Sequence, residues 1–144
     1  SMGGLVARAY IARHRPARLA RVVMLGTPNS GSEVADLLQG LLPYRAFYGP
    51  AGLELTTTPA TAPNALPAID YPVGVIAGNR FIDPVAGLFV LPKPNDGRVS
   101  VQSTMLAGMT DHVVVKASHT GLPRHAAAIA QTIAFLRNGH FRPR

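Results

Sequence analysis

Three short runs of apolar, mostly β-branched residues constrain this chain more than any other feature: Arg21-Val-Val-Met-Leu25, Val73-Gly-Val-Ile-Ala77 and His112-Val-Val-Val115. A continuous apolar run, as opposed to one alternating with polar residues, is the pattern of a strand covered on both faces. Residues 2–13 instead have helical period, placing Leu5, Val6, Ala9 and Tyr10 on one side and arginines on the other. Ser30 and Glu33 have capping-box spacing, and Val34, Leu37, Leu38, Leu41 and Leu42 then form an apolar stripe up to Pro43. A last helix is expected from about Pro123 to Asn138-Gly139, with Ala126, Ile129, Ala130, Ile133 and Leu136 inward. Helices alternating with buried strands define an α/β protein with a mostly parallel sheet and flanking helices.

At 144 residues, 47% of them apolar and 15% charged, the chain is expected to fold as one domain around one core. Between Pro43 and Pro72 recurrent prolines and threonines suppress regular structure, so residues 33–72 read as a cap or lid-like excursion. The Val34 to Leu42 stripe is then either core or a lid, and as a lid it would offer Leu37, Leu38 and Leu41 to a substrate. No apolar run is long enough to span a bilayer. Cysteine is absent, which rules out disulfides and thiolate metal sites and leaves cytoplasmic and secreted locations open. The formal charge of +7 includes Arg8, Arg13, Arg15, Arg18 and Arg21 near the front. Without a recognition motif these read as a solvated helix end, and no nucleic-acid partner is expected. No His and carboxylate cluster has metal-ligand spacing, so neither metal nor cofactor is implied.

Ligands of open parallel sheets bind beyond the carboxyl ends of the strands, so the residues following each strand carry the functional argument. Ser1-Met-Gly-Gly4 matches the back half of a G-x-S-x-G nucleophile elbow, a tight strand-to-helix turn that projects a hydroxyl at a helix mouth. In that turn Gly3 is expected to keep the bend clear of a side chain, and the Met2 N–H is placed to stabilise an oxyanion. His119 follows the third buried run, where a general base reaching a neighbouring serine must hang. Asp96, in Asn95-Asp-Gly-Arg-Val99, supplies a carboxylate to orient that imidazole. Asp83 competes for the same role in an Asp-Pro turn, and Asp111 is a weaker third choice. His14, His112, His125 and His140 read as structural or solvated. The chain order Ser, Asp, His is that of one hydrolase architecture in particular.

On these residues the chain resembles the lipase and esterase branch of the α/β-hydrolases, especially bacterial triacylglycerol-lipase-like and related acyl-ester hydrolases. Ser1 to Arg8 resembles that family's elbow and following helix, Leu25-Gly-Thr-Pro-Asn-Ser-Gly-Ser32 its next strand and turn, Asn95 to Val99 its acid loop, and Ser118-His-Thr-Gly121 its histidine loop. The resemblance implies a partial α/β-hydrolase fold, its C-terminal portion, with Ser1 as nucleophile, Asp96 as acid, His119 as base and Met2 as one oxyanion donor. It implies a carboxylic-ester substrate, small-molecule or lipid, and an acyl-enzyme mechanism. It also implies that several strands, the first glycine of the elbow and a second oxyanion donor precede Ser1, or that Ser1 is a tag remnant before the Met2 of a gene model. The first strand is then expected to expose an edge that self-associates or takes up a missing segment. The rival reading is a non-catalytic interaction or scaffold domain on the same fold.

Overall fold

A computed structural model describes residues 1–30, 67–80 and 94–143. The Ser30–Glu33 capping pair, the stripe with Leu37, Leu38 and Leu41, most of the 33–72 excursion, and Asp83 lie outside the described residues, wholly or in part.

The described elements are α1 (Met2–His14), β1 (Val22–Leu25), β2 (Val73–Gly78), β3 (Asp111–Val115), a 3-10 turn (Leu122–Arg124) and α2 (Ala126–Asn138). The strands form one parallel sheet in the order β1-β2-β3, with Leu25 opposite Ile76 and Gly78 opposite Val115. As the apolar runs require, β2 is central and all six of its residues are buried.

Two apolar clusters cover the two faces of the sheet. On one, Ile76, Val113 and Val115 pack with Leu122, Ala128, Phe135 and Phe141. On the other, Met24, Val73 and Val75 pack with Leu106, Ile69, Tyr71 and Met109. Phe135 is fully buried, its ring 5.0 Å from that of Phe141. Both rings fit because Gly74 has no side chain: a Cβ there would lie 2.7 Å from Phe135 and 2.8 Å from Phe141.

This packing corrects the expected facing of both helices. In α1 the buried residues are Leu5, Arg8 and Ile11, whereas Val6 and Tyr10 are 41% and 56% exposed. In α2 the buried residues are Ala128, Ala134 and Phe135, whereas Ala126 is exposed and Ile129, Ile133 and Leu136 are at least 41% exposed. The rotation of α2 follows from Phe135, whose ring takes the hollow above Gly74 and fixes which stripe meets the sheet. The start of α2 also differs, because Pro123 belongs to the 3-10 turn. Its stop is as expected: Gly139 is left-handed at φ 84° and donates its N–H to Phe135 O at 2.8 Å.

The front arginines are not simply a solvated helix end. Arg8 is 5% exposed, Arg15 pairs with Asp70 and lies 5.5 Å from the Tyr71 ring centre, and Arg21 donates to the carbonyls of Leu136 and Arg137 at the end of α2. Burial lowers the pKa of Arg8 from its ordinary value, opposed by Tyr71.

Phe135→Ala is expected to destabilise the fold by about 3–5 kcal/mol, as loss of a buried aromatic usually does. Urea unfolding followed by circular dichroism measures it, and Ile133→Ala, on the exposed stripe, is expected to cost far less.

Candidate active site

Each strand ends in a turn at the same rim of the sheet, and the candidate residues lie on or beside these turns. After β1 comes Gly26, at φ +54°. After β2 the chain returns, in the described residues, with the acid loop. After β3 come Ala117, Ser118 and His119.

The acid loop is held by its own backbone. Asp96 N–H donates to Val99 O at 3.1 Å, and the Asn95 side chain accepts the Gly97 N–H at 3.0 Å, with Gly97 at φ +100°. Asp96 is 2% exposed, and burying a carboxylate is costly unless its oxygens are bonded. Here they are. Oδ1 accepts the Arg98 and Val99 N–H groups at 3.1 and 2.8 Å, and Oδ2 meets Nδ1 of His119 at 2.8 Å. A second link joins the same residues, since the His119 N–H donates to Asp96 O at 3.0 Å. Imidazole and carboxylate are therefore tied through both backbone and side chain.

Two glycines make room for this pair. A Cβ at Gly78, the end of β2, would lie 2.8 Å from Asp96 Cβ and 2.5 Å from Ala117 O. A Cβ at Gly26 would lie 3.2 Å from Cε1 and Nδ1 of His119 and 3.0 Å from Leu122. The ring thus packs over the end of β1, and the carboxylate over the end of β2.

Ser1 caps α1, and its amino group donates to Leu25 O, the last residue of β1, at 2.8 Å. Burial lowers the pKa of that amine from its ordinary value, with the Asp96 charge opposing. Ser1 and His119 line one cavity of about 430 Å³, together with Gly4, Thr27, Leu122 and the residues of β1. Met2 is the first helical residue, and its N–H is among those at a helix start with no partner inside the helix. With Nδ1 engaged by Asp96, Nε2 is the ring atom available to exchange a proton with a hydroxyl or water. The structure thus joins Asp96 to His119 by two hydrogen bonds and places Ser1 and His119 in the lining of one cavity.

Other candidates fall elsewhere. Asp111 starts β3, at the opposite end of the strand, and its carboxylate accepts the His112 and Phe141 N–H groups at 2.8 and 2.7 Å, a structural tie. His112 Nε2 is 2.9 Å from Thr104 Oγ1, and His14 packs on Tyr10. The expectation for Gly3 needs correction, because a Cβ there would meet nothing within 4 Å. Gly4 is the constrained position: a Cβ there would fall 2.2 Å from Thr27 Oγ1. The crowding arises where the first helical turn meets the loop after β1. Gly26, Gly78 and Thr27 also lie at this site; the signal in the sequence was a glycine directly after each of the first two apolar runs.

Among the described residues there is no group of three or more His, Cys, Asp or Glu able to hold a metal, and no helix long and apolar enough to cross a membrane.

The parallel sheet, the flanking helices and their order define part of an α/β-hydrolase-like fold. Among solved structures the chain is similar to a lipase of Bacillus licheniformis in its mature form, with a TM-score of 0.57 and 21% identity over 96% of this chain. The chain spans 62% of the length of that lipase. No protein-family profile matches the chain, and no curated protein matches it.

Gly4→Ala is expected to destabilise the protein by about 1–3 kcal/mol, the usual range for overpacking, while Gly3→Ala leaves stability nearly unchanged. Paired urea titrations of the two variants check the contrast.

Proposed function

We propose that this chain carries the nucleophile, acid and base of a serine hydrolase acting on carboxylic esters. The observation that supports this best is the 2.8 Å bond from buried Asp96 to His119, beside a cavity that Ser1 also lines. In this reading the Ser1 hydroxyl attacks the acyl carbon as His119 Nε2 takes its proton. The tetrahedral oxyanion is met by the Met2 N–H, and collapse of the intermediate expels the alcohol, which receives the proton from His119. Water, deprotonated by the same imidazole, then releases the acid from the acyl-enzyme. Asp96 keeps Nδ1 protonated and the ring aimed at the serine.

In this reading the Met2 N–H is the oxyanion donor supplied by the described residues, and loss of such a donor lowers turnover by about 10²- to 10³-fold in serine hydrolases. Among the described residues β1 lies at an edge of the sheet. Val22 N–H and Gly26 N–H donate to Pro72 O and Ile76 O of the β2 side, so the groups of the intervening odd residues, Val23 and Leu25, point away from β2 to an edge that no other described strand pairs, where Leu25 O accepts the Ser1 amine. That edge is expected to self-associate in the isolated chain, or to be paired by a further segment of a longer protein.

A fluorophosphonate probe should label Ser1, and Ser1→Ala should abolish labelling; unlabelled, folded protein would favour the scaffold reading. Hydrolysis of a short p-nitrophenyl ester should fall by about 10⁴-fold in Asp96→Asn, the loss seen when the acid of a serine triad is made an amide. Sedimentation velocity should show concentration-dependent association that Val23→Pro removes, because proline at that position deletes an N–H that faces away from β2.

A further inference from the structure

We propose that Asn29 is a positioning residue of this site, setting the distance between the nucleophile's helix and the acid loop; the inference rests on reading Ser1, Asp96 and His119 as a triad. Asn29 is 4% exposed, and its hydrogen bonds go to residues other than these three. It stands instead where the structures that carry them meet. Its Nδ2 donates to Thr27 O at 3.2 Å and to Thr104 O at 2.9 Å. Its backbone N–H donates to Ser103 O at 2.7 Å, an oxygen that also accepts the Ser30 N–H at 3.0 Å. Its Oδ1 accepts from Arg8 Nη1 at 3.4 Å.

One side of this junction leads to Ser1. Arg8 is on α1, and the Thr27 side chain fills the space that Gly4 leaves in the first turn of that helix. The other side leads to Asp96. Ser103 N–H and Oγ bond Ser100 at 3.1 and 3.0 Å, and Thr104 N–H donates to Ser100 O at 3.3 Å. Ser100 pairs with Asn95 in an isolated bridge, and Val99 N–H holds the Asp96 carboxylate. An unbroken path of bonds therefore runs from α1 through Asn29 to the carboxylate.

Only a side-chain amide offers two donors and an acceptor in one small plane, and this junction uses both kinds. Without it the carbonyls of Thr27 and Thr104 lose a buried donor, which drives that turn to shift toward another. A shift there moves Asp96, and with it His119, relative to Ser1.

The test compares Asn29→Ala and Asn29→Asp, the second keeping volume and the acceptor toward Arg8 while deleting both donors, with Phe141→Leu. Phe141 packs at the far end of the strands, against Gly74, and serves as a variant that lowers Tm without touching the junction. Two readouts are taken: the rate of fluorophosphonate labelling at Ser1, and the proton NMR signal of His119 Nδ1–H, which lies far downfield when the proton is held by a carboxylate. Both Asn29 variants are expected to slow labelling by roughly 10- to 100-fold, as small misplacements of reacting groups do, with probe affinity unchanged, and to broaden or lose the downfield signal. Phe141→Leu is expected to keep both. An unaltered signal and labelling rate in a folded Asn29 variant overturns the proposal, as does an equal change in Phe141→Leu. If the unsubstituted protein is not labelled at Ser1, the hydrolase reading fails, and the NMR signal alone decides whether Asn29 positions the Asp96–His119 pair.

Discussion

The structure depends on the burial of β2 on both faces and between two neighbours. A strand in that position has to be apolar throughout, and its side chains set how close everything else can come. Gly74 near one end admits the rings of Phe135 and Phe141 to the sheet, and Gly78 at the other end admits Asp96 and the turn after β3. One glycine thus governs how α2 docks, and the other where the acid loop sits. Stability and site geometry are separated along the length of a single strand, with the aromatic cluster at its beginning and the polar cluster beyond its end.

At the polar end the charge of Asp96 is buried where both of its oxygens are bonded. The Asp96 carboxylate gives up solvent, at a cost of several kcal/mol for an unpaired ion, and receives two backbone N–H groups and an imidazole in return. Its neighbour His119 is fixed by a backbone bond as well as by its ring, so the pair has little freedom to swing. The serine is held differently, through a helix whose first turn is pressed against Thr27 and whose buried Arg8 reaches the loop after β1. That loop is in contact with both α1 and the segment that follows the acid loop.

Much of the architecture was legible because period and punctuation are local properties. The three apolar runs became the three parallel strands within a residue or two, and Gly139 ended α2 as its position suggested. The facing of the helices was not legible. Leu5, Val6, Ala9 and Tyr10 make a plausible stripe, yet Arg8 rather than Val6 is buried, because a polar partner, Asn29, waits inside. Likewise the larger aliphatics of α2 lie outward, since the single ring of Phe135 matches the hollow over Gly74. Gly3 and Gly4 are indistinguishable as letters, and only the approach of Thr27, twenty-odd residues on, tells them apart.

By itself the sequence determined the class of the fold, the order of its elements and which residue types sit beyond the ends of the strands, since these follow from hydrophobic period, turn chemistry and chain order. Tertiary structure alone decided that Asp96 meets His119 through two bonds, that Asp111 serves the opposite end of the sheet, and that Ser1 and His119 share one cavity. The reason is physical: distances between residues far apart in the chain are set by strand register and by how closely glycines let neighbours approach, and neither is written in any local stretch of the sequence.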